Sequence, residues 1–324
     1  MRTFSFSQDP VFTQFQSSPI NINPAFAGNS SLPVFHLNSR IEWPLIDFAY
    51  NTISFSADQF IKKNNFGFGL LFLMDDSGNG IYRRFRSEGT IAYRLKVKEN
   101  NFFKLGLSLA YGQNTLDWNK LTFGDMIDLR YGFTLPDGSK LVTEEIQPND
   151  LTKGYLDLSA GLLFYSQKFF AGLAVKHANT PINYYFQNEN DNVNRGLPVR
   201  FSAQAGGELK IFSDNIYVKR FYSPILIYVY QSGLHQLTFN NYIDLNGMFG
   251  GLGYRYNFSN SDALLFTIGV EKEFLKIAYS FDYTVSKLGI NTGGSHEIGI
   301  SINLENSSIR KKEFRYSDCF NLFR

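Results

Sequence analysis

Apolar and polar residues alternate one by one along much of this chain, and over residues 275–286 the alternation runs unbroken. Leu275, Ile277, Tyr279, Phe281, Tyr283 and Val285 interleave with Lys276, Ala278, Ser280, Asp282, Thr284 and Ser286. Successive side chains of an extended strand point to opposite faces, so this pattern builds a strand with one apolar and one polar face; a helix would need a period near 3.6. The same reading holds for Phe103, Leu105, Leu107, Leu109 and Tyr111 against Lys104, Gly106, Ser108, Ala110 and Gly112. It recurs at Phe201, Ala203 and Ala205 against Ser202, Gln204 and Gly206, and at Ile298, Ile300, Ile302 and Leu304 against Glu297, Gly299, Ser301 and Asn303.

Two folds accept such strands. A soluble sandwich turns the apolar face into a core, whereas a membrane barrel turns it to lipid and lines a lumen with the polar face. The alternating segments approach the roughly 9–11 residues that a tilted membrane strand needs. Tyr50, Phe60, Tyr111, Tyr155, Tyr165, Tyr254 and Tyr256 fall near strand ends, where interfacial aromatic girdles belong. Aromatic residues make up 17% of the chain, yet mean hydropathy is only −0.19, as expected of strands apolar on one face. The longest apolar runs, such as Gly69–Met74 and Pro224–Tyr230, are far too short for a membrane helix.

Connection lengths sharpen the choice. The pattern places strands near 33–41, 50–60, 65–73, 87–98, 101–114, 154–166, 168–177, 199–211, 221–231, 234–244, 247–257, 262–271, 274–286 and 295–304. Tight turns at Lys62–Asn64, Glu99–Asn100, Gln167, Leu245–Asn246 and Lys272–Glu273 tend to alternate with long connections at Met74–Arg86, Thr115–Lys153, His177–Pro198 and Lys287–Gly294. Outer-membrane barrels put short turns on the periplasmic side and long loops outside. Ser232–Gly233 is short for an outer loop, and Ser213–Arg220 is long for a periplasmic turn. The fold expected is an all-β, transmembrane antiparallel barrel of about 14 strands, its first strand paired with its last because lipid tolerates no open sheet edge.

Candidate chemistry is sparse. The chain has 4 His and 1 Cys, which disfavours a His/Cys zinc centre, and its net charge of +2 with no long basic block disfavours nucleic acid. Asp117, Asp125, Asp128, Asp137, Glu144, Glu145 and Asp150 crowd one connection, but without calcium-loop spacing they read as a solvated acidic loop. Asp157, Asp282, Glu297, Arg255, Lys104 and Lys276 fall on lumen faces and read as lumen ion pairs rather than a catalytic set. Ser295 and His296 point to opposite faces and cannot pair. No catalytic residue, metal or cofactor is expected. Cys319, near the C-terminus, reads as a free thiol, with modification or pairing to another chain left open.

Two segments resemble a known family. One is Gln8-Asp9-Pro10-Val11-Phe12-Thr13-Gln14-Phe15 followed by Pro19-Ile20-Asn21-Ile22-Asn23-Pro24-Ala25-Phe26-Ala27-Gly28; the other is Asn291-Thr292-Gly293-Gly294-Ser295-His296-Glu297-Ile298. Together they resemble the PorP/SprF outer-membrane proteins of Bacteroidota, associated with the type IX secretion system; the usual Cys-Pro of the family tail is here Cys319-Phe320. The resemblance implies a 14-stranded barrel distantly similar to fatty-acid-transporter barrels, whose N-terminal "NPA" segment enters the lumen. It implies outer-membrane lipid, type IX secretion components and a large secreted cargo with a type B C-terminal secretion domain as partners, gliding adhesins being the best-known cargo. A transport barrel for a small solute is the alternative.

Three regions follow: 1–31 as an N-terminal segment that plugs the lumen, 32–304 as the barrel, and 305–324 as a periplasmic tail. Met1–Ser7 is too short for a signal peptide with its apolar core, so it reads as a remnant of a trimmed signal or as a displaced start. Within the first region Pro10, Pro19 and Pro24 prevent regular strand pairing, while Phe12, Phe15 and Phe26, with Asn23 and Pro24, are expected inside the lumen. Trp118, Phe123, Tyr131, Phe133, Tyr184, Tyr185 and Phe186, on the two longest connections, are the expected partner-binding residues.

Overall fold

The computed structural model describes residues 9–46, 49–98, 100–139, 141–183, 196–211, 220–258, 260–285 and 290–306. Its strands are β1 (Val34–Glu42), β2 (Tyr50–Ile61), β3 (Phe66–Ser77), β4 (Tyr82–Lys98), β5 (Asn101–Leu116), β6 (Thr152–Tyr165), β7 (Phe169–Lys176) and β8 (Arg200–Gly207). They continue as β9 (Leu209–Lys210), β10 (Arg220–Gln231), β11 (Leu234–Leu245), β12 (Met248–Asn257), β13 (Asn260–Lys272), β14 (Leu275–Thr284) and β15 (Ser295–Asn303). Both β8 and β9 pair with β10, Ala205 lying opposite Leu226 and Leu209 opposite Tyr222, so they are two halves of one strand. All pairings are antiparallel between neighbours. β15 returns to β1, Val34 opposite Asn303 and Glu42 opposite Ser295, and the result is a closed barrel of 14 strands.

Side-chain alternation decides what each face meets. On β5, Leu105, Leu107 and Leu109 are exposed on the outside while Lys104, Ser108 and Ala110 are buried within. An apolar outer band and a polar interior are what the hydrocarbon of a bilayer requires. Tyr279 is exposed on the outer face and donates or accepts a 2.7 Å hydrogen bond with His296 Nδ1, whereas Ser280 faces inward and is fully buried. No helix among the described residues is long and apolar enough to cross a membrane.

One expected loop is strand instead. The connection expected at Met74–Arg86 is only a four-residue turn, residues 78–81. Asp75 pairs across from Arg84 and Asp76 from Arg83, while Met74 and Phe85 point outward to continue the apolar band. Asp75 and Arg84 are buried in the lumen. Charges that face a lumen break the apolar pattern and read as loop, although the backbone ladder continues. Ser232 and Gly233 make a two-residue hairpin turn with positive φ at both, 52° and 80°.

Residues 9–31 lie inside the barrel and form no strand; their only regular structure is three short helical turns, Phe15–Ser17, Pro19–Ile22 and Pro24–Phe26. Pro19 and Pro24 each open one, at the first helical positions where a missing N–H costs nothing. A wall already closed on itself offers no edge to pair with, so this segment must satisfy its backbone locally and through inward-facing side chains.

Candidate functional site

The lumen segment is held in layers. At the level of the long-loop rim, Asp9 accepts from Arg84 at 3.0 Å and lies 2.7 Å from His177 Nε2 and 3.4 Å from Arg200. His177 Nδ1 lies 2.9 Å from Asp157, which also pairs with Arg86; Arg86 in turn meets Glu88 at 2.8 Å. One turn further in, Thr13 is enclosed by a second ionic group. Its N–H donates to Glu297 at 2.7 Å and its hydroxyl to Asp282 at 2.8 Å, while Arg40 and Arg255 donate to the hydroxyl oxygen at 2.9 and 2.7 Å. Arg40 and Arg255 both pair with Asp282, at 2.8 and 2.9 Å. Asp157, Asp282, Glu297 and Arg255 are thus lumen ion-pair members. Lys276 pairs with Glu271 at 3.1 Å, and Lys104 binds backbone.

Below the charges the contact turns apolar. Phe12 is buried, and Phe15, Phe26 and Phe170 of β7 pack with ring centroids 5.4–6.2 Å apart. Aromatic packing of this kind adds to area burial and needs no desolvation of charge. Asn23 reaches the wall itself. Its Nδ2 donates to the carbonyls of Leu162 and Leu173, at 3.0 and 3.2 Å, and to Gln204 Oε1 at 3.1 Å, while its Oδ1 caps Ala25 N–H at 2.9 Å. Room for this comes from Gly161, where a Cβ would overlap the Asn23 amide. Pro24 and Ala25 cross the wall at Gly106, where a side chain would meet their backbone. At the short-turn end, Lys104 Nζ donates to Ala27 O at 2.6 Å and Gly28 O at 3.0 Å, and Gly28 N–H donates to Asp58 at 2.7 Å.

The long-loop rim carries the second feature. Within the described residues of the connection between β5 and β6, Asp125 accepts from Thr143 Oγ1 at 2.9 Å and Glu144 N–H at 2.7 Å, and Asp128 pairs with Gly132 in an isolated bridge. The Glu144 N–H beside it, helped by the Thr143 hydroxyl, holds the Asp125 carboxyl below the usual carboxylate range. Trp118 and Phe123, both half-buried, pack against each other with tilted rings and centroids 4.8 Å apart, and serve the loop's own packing. Tyr131 and Phe133 are exposed. Tyr184, Tyr185 and Phe186 lie outside the described residues. Leu129, Val142 and Ile146, which the aromatic search passes over, stand 103%, 87% and 83% exposed. Their sequence signal was an apolar residue among charges with no strand period to explain it. Among the described residues no three His, Cys, Asp or Glu side chains gather to hold a metal ion.

A family model described as "Type IX secretion system membrane protein PorP/SprF" matches residues 4–302. The chain belongs to the PorP/SprF family. It is accordingly an outer-membrane barrel associated with type IX secretion. No curated protein matches this PorP/SprF chain. Solved structures similar to it include the Pseudomonas putida toluene transporter TodX, with a TM-score of 0.44 at 9% identity over 87% of this chain and 92% of that one. KdgM porin has a TM-score of 0.38 at 8% identity over 83% of this chain and 98% of that one.

Proposed function

We propose that this PorP/SprF barrel supports the export of a large secreted protein, adhesin-like and ending in a type B C-terminal domain, and anchors it at the cell surface. The observation that carries this reading is the β5–β6 connection, which is clasped by Asp125 on Thr143 and Glu144 yet leaves Leu129, Val142 and Ile146 exposed. Large apolar side chains held out by a built loop are an interaction surface in search of a partner. The lumen behind that rim is occupied by residues 9–31, so a partner is met from outside the barrel and not threaded through it. On the alternative, a barrel that passes a small solute, the whole lumen segment would have to leave its ionic and aromatic contacts first. No catalytic step enters the reading.

The test is capture from native outer membranes. A tagged barrel should bring down a very large protein with a C-terminal secretion domain. The triple variant Leu129→Ser, Val142→Ser, Ile146→Ser should reduce capture about tenfold or more, since a few anchors carry most of an interface's energy. Unchanged capture by that variant, and by a barrel truncated over 137–148, with heat-modifiable folding intact in both, overturns the assignment of the binding face.

A further inference from the structure

Strand β6 outruns one of its neighbours. Its ladder to β5 reaches the first residue of β6, Thr152 opposite Thr115, but its ladder to β7 stops with Ala160 opposite Val175. The break comes at His177, which takes a left-handed φ of 57° and turns its ring inward to Asp9 and Asp157. The chain peels off β6 there. Ala178 N–H still donates to Leu158 O at 3.0 Å, and the Asn179 side-chain amide stands in for one more peptide group. Its Oδ1 accepts from Leu158 N–H at 3.0 Å, and its Nδ2 donates to Leu156 O at 2.8 Å. Beyond Asn179 the chain moves away to bridge Ile182 with Gly196.

A strand edge is left behind. The N–H and C=O of one strand residue point to the same side. Leu151 O accepts from Leu116 N–H at the end of β5, whereas Leu158 O accepts from Ala178 on the opposite side. Odd-numbered residues of β6 therefore face β5, and even-numbered ones face away. Among the described residues nothing bonds Leu156 N–H or the backbone groups of Gly154 and Thr152, and all three residues are exposed. Unpaired backbone groups cannot stand in hydrocarbon. Tyr111, on the outer face, marks where the bilayer ends: a Cβ on Gly154 would come 2.7 Å from its hydroxyl. The edge thus rises from the aromatic girdle into water. Residues 152–156 hold no proline to blunt it, and their one charge, Lys153, is half-buried and paired with Asp150 at 2.9 Å.

We infer that the outer edge of β6, from Thr152 to Leu156, takes an extended segment of the secreted partner as an added antiparallel strand. An extended backbone repeats a donor and an acceptor at every second residue, which is the spacing this edge presents. Antiparallel is the direction of β7, whose place the segment takes. Position names the partner: Thr152 begins β6 where the connection bearing Leu129, Val142 and Ile146 ends, so the edge continues the surface those side chains form. The identity of the partner rests on the function proposed above; the edge itself does not.

The test captures the tagged full-length barrel from native outer membranes and follows amide hydrogen exchange by mass spectrometry, in the free barrel and in the captured complex. The Gly154 and Leu156 amides should exchange early in the free barrel and at least about tenfold more slowly in the complex. Gly154→Pro should keep heat-modifiable folding, because the N–H it removes faces away from β5 and an edge tolerates proline there. Capture should fall about tenfold or more, since proline removes a ladder hydrogen bond and obstructs close approach. Slow exchange at 152–156 in the free barrel, or exchange unchanged in the complex, overturns the added strand without depending on any variant's folding. Capture that the triple serine variant loses and Gly154→Pro keeps overturns the edge alone. A wild-type capture without a large partner overturns this inference and the proposed function together, and protection in a complex holding only a second copy of the barrel overturns the occupant.

Discussion

Thr13 shows what a single residue can carry in this molecule. Its hydroxyl and N–H meet four charged side chains from four different strands, so it closes a buried ring of charge. Buried ion pairs add little net stability, but leaving one partner alone is expensive. Asp282→Ala strands both Arg40 and Arg255 and should cost about 3–5 kcal/mol, whereas Thr13→Ala should cost about 1–3 kcal/mol. The urea midpoint of heat-modifiable folding measures both; equal small effects would show that the ring is not a unit. Asn23→Ala removes three donated hydrogen bonds and should expose residues 9–31 to protease without unfolding the wall. Asp125 is the surface counterpart. Its folded pKa is depressed, so the loop closure it provides is fully present above the ordinary carboxylate pKa and is lost as pH falls through the lowered value. Cleavage of loop 117–151 by an acid-active protease should therefore stay slow at about pH 5 and rise only below about pH 3.9; a rise near neutrality would remove Asp125 as the clasp.

At the scale of the strand, the lipid face and the lumen face respond to the same change for different reasons. Phe281→Arg places a charge on the outer face and should cost about 2–4 kcal/mol if that site lies at mid-bilayer depth. A water-filled lumen would accept Arg at the neighbouring Ser280. This lumen does not: Ser280 is fully buried and bonded to Thr267 at 2.8 Å. Ser280→Arg should be at least as damaging as Phe281→Arg, through overpacking rather than lipid contact. Leucine at each position separates the causes, since Phe281→Leu should be nearly silent and Ser280→Leu should still destabilise. The β3–β4 hairpin follows the same logic. Its ladder extends through Asp75 and Arg84 because those charges face inward, where they belong, and not because the segment is apolar.

At the scale of the whole barrel, the contacts of residues 9–31 make the interior a packed core, with ionic groups toward the long-loop rim, aromatics beneath them, and Lys104 and Asp58 at the short-turn end. Intact protein in a planar bilayer should show no steady ion conductance. Deleting residues 9–28 should produce discrete conducting steps, provided the barrel still folds by heat-modifiability. Conductance by the intact chain would instead favour the solute-transport reading. The rim divides labour similarly: at the same end of the barrel the β10–β11 turn at residues 232–233 is short, while the β5–β6 connection is long. A partner seated on Leu129, Val142 and Ile146 would stand off the membrane.

Strand number, the approximate limits of the strands outside the β3–β4 hairpin, and the two faces of the alternating strands were legible from the chain alone. Each depends on local periodicity, which is a property of neighbours in sequence. Contacts between residues hundreds of positions apart were not legible. That Asp9 would meet His177, that Thr13 would sit among Arg40, Arg255, Asp282 and Glu297, and that Asn23 would reach strand carbonyls at Gly161 follow from barrel closure, which sets register and diameter together.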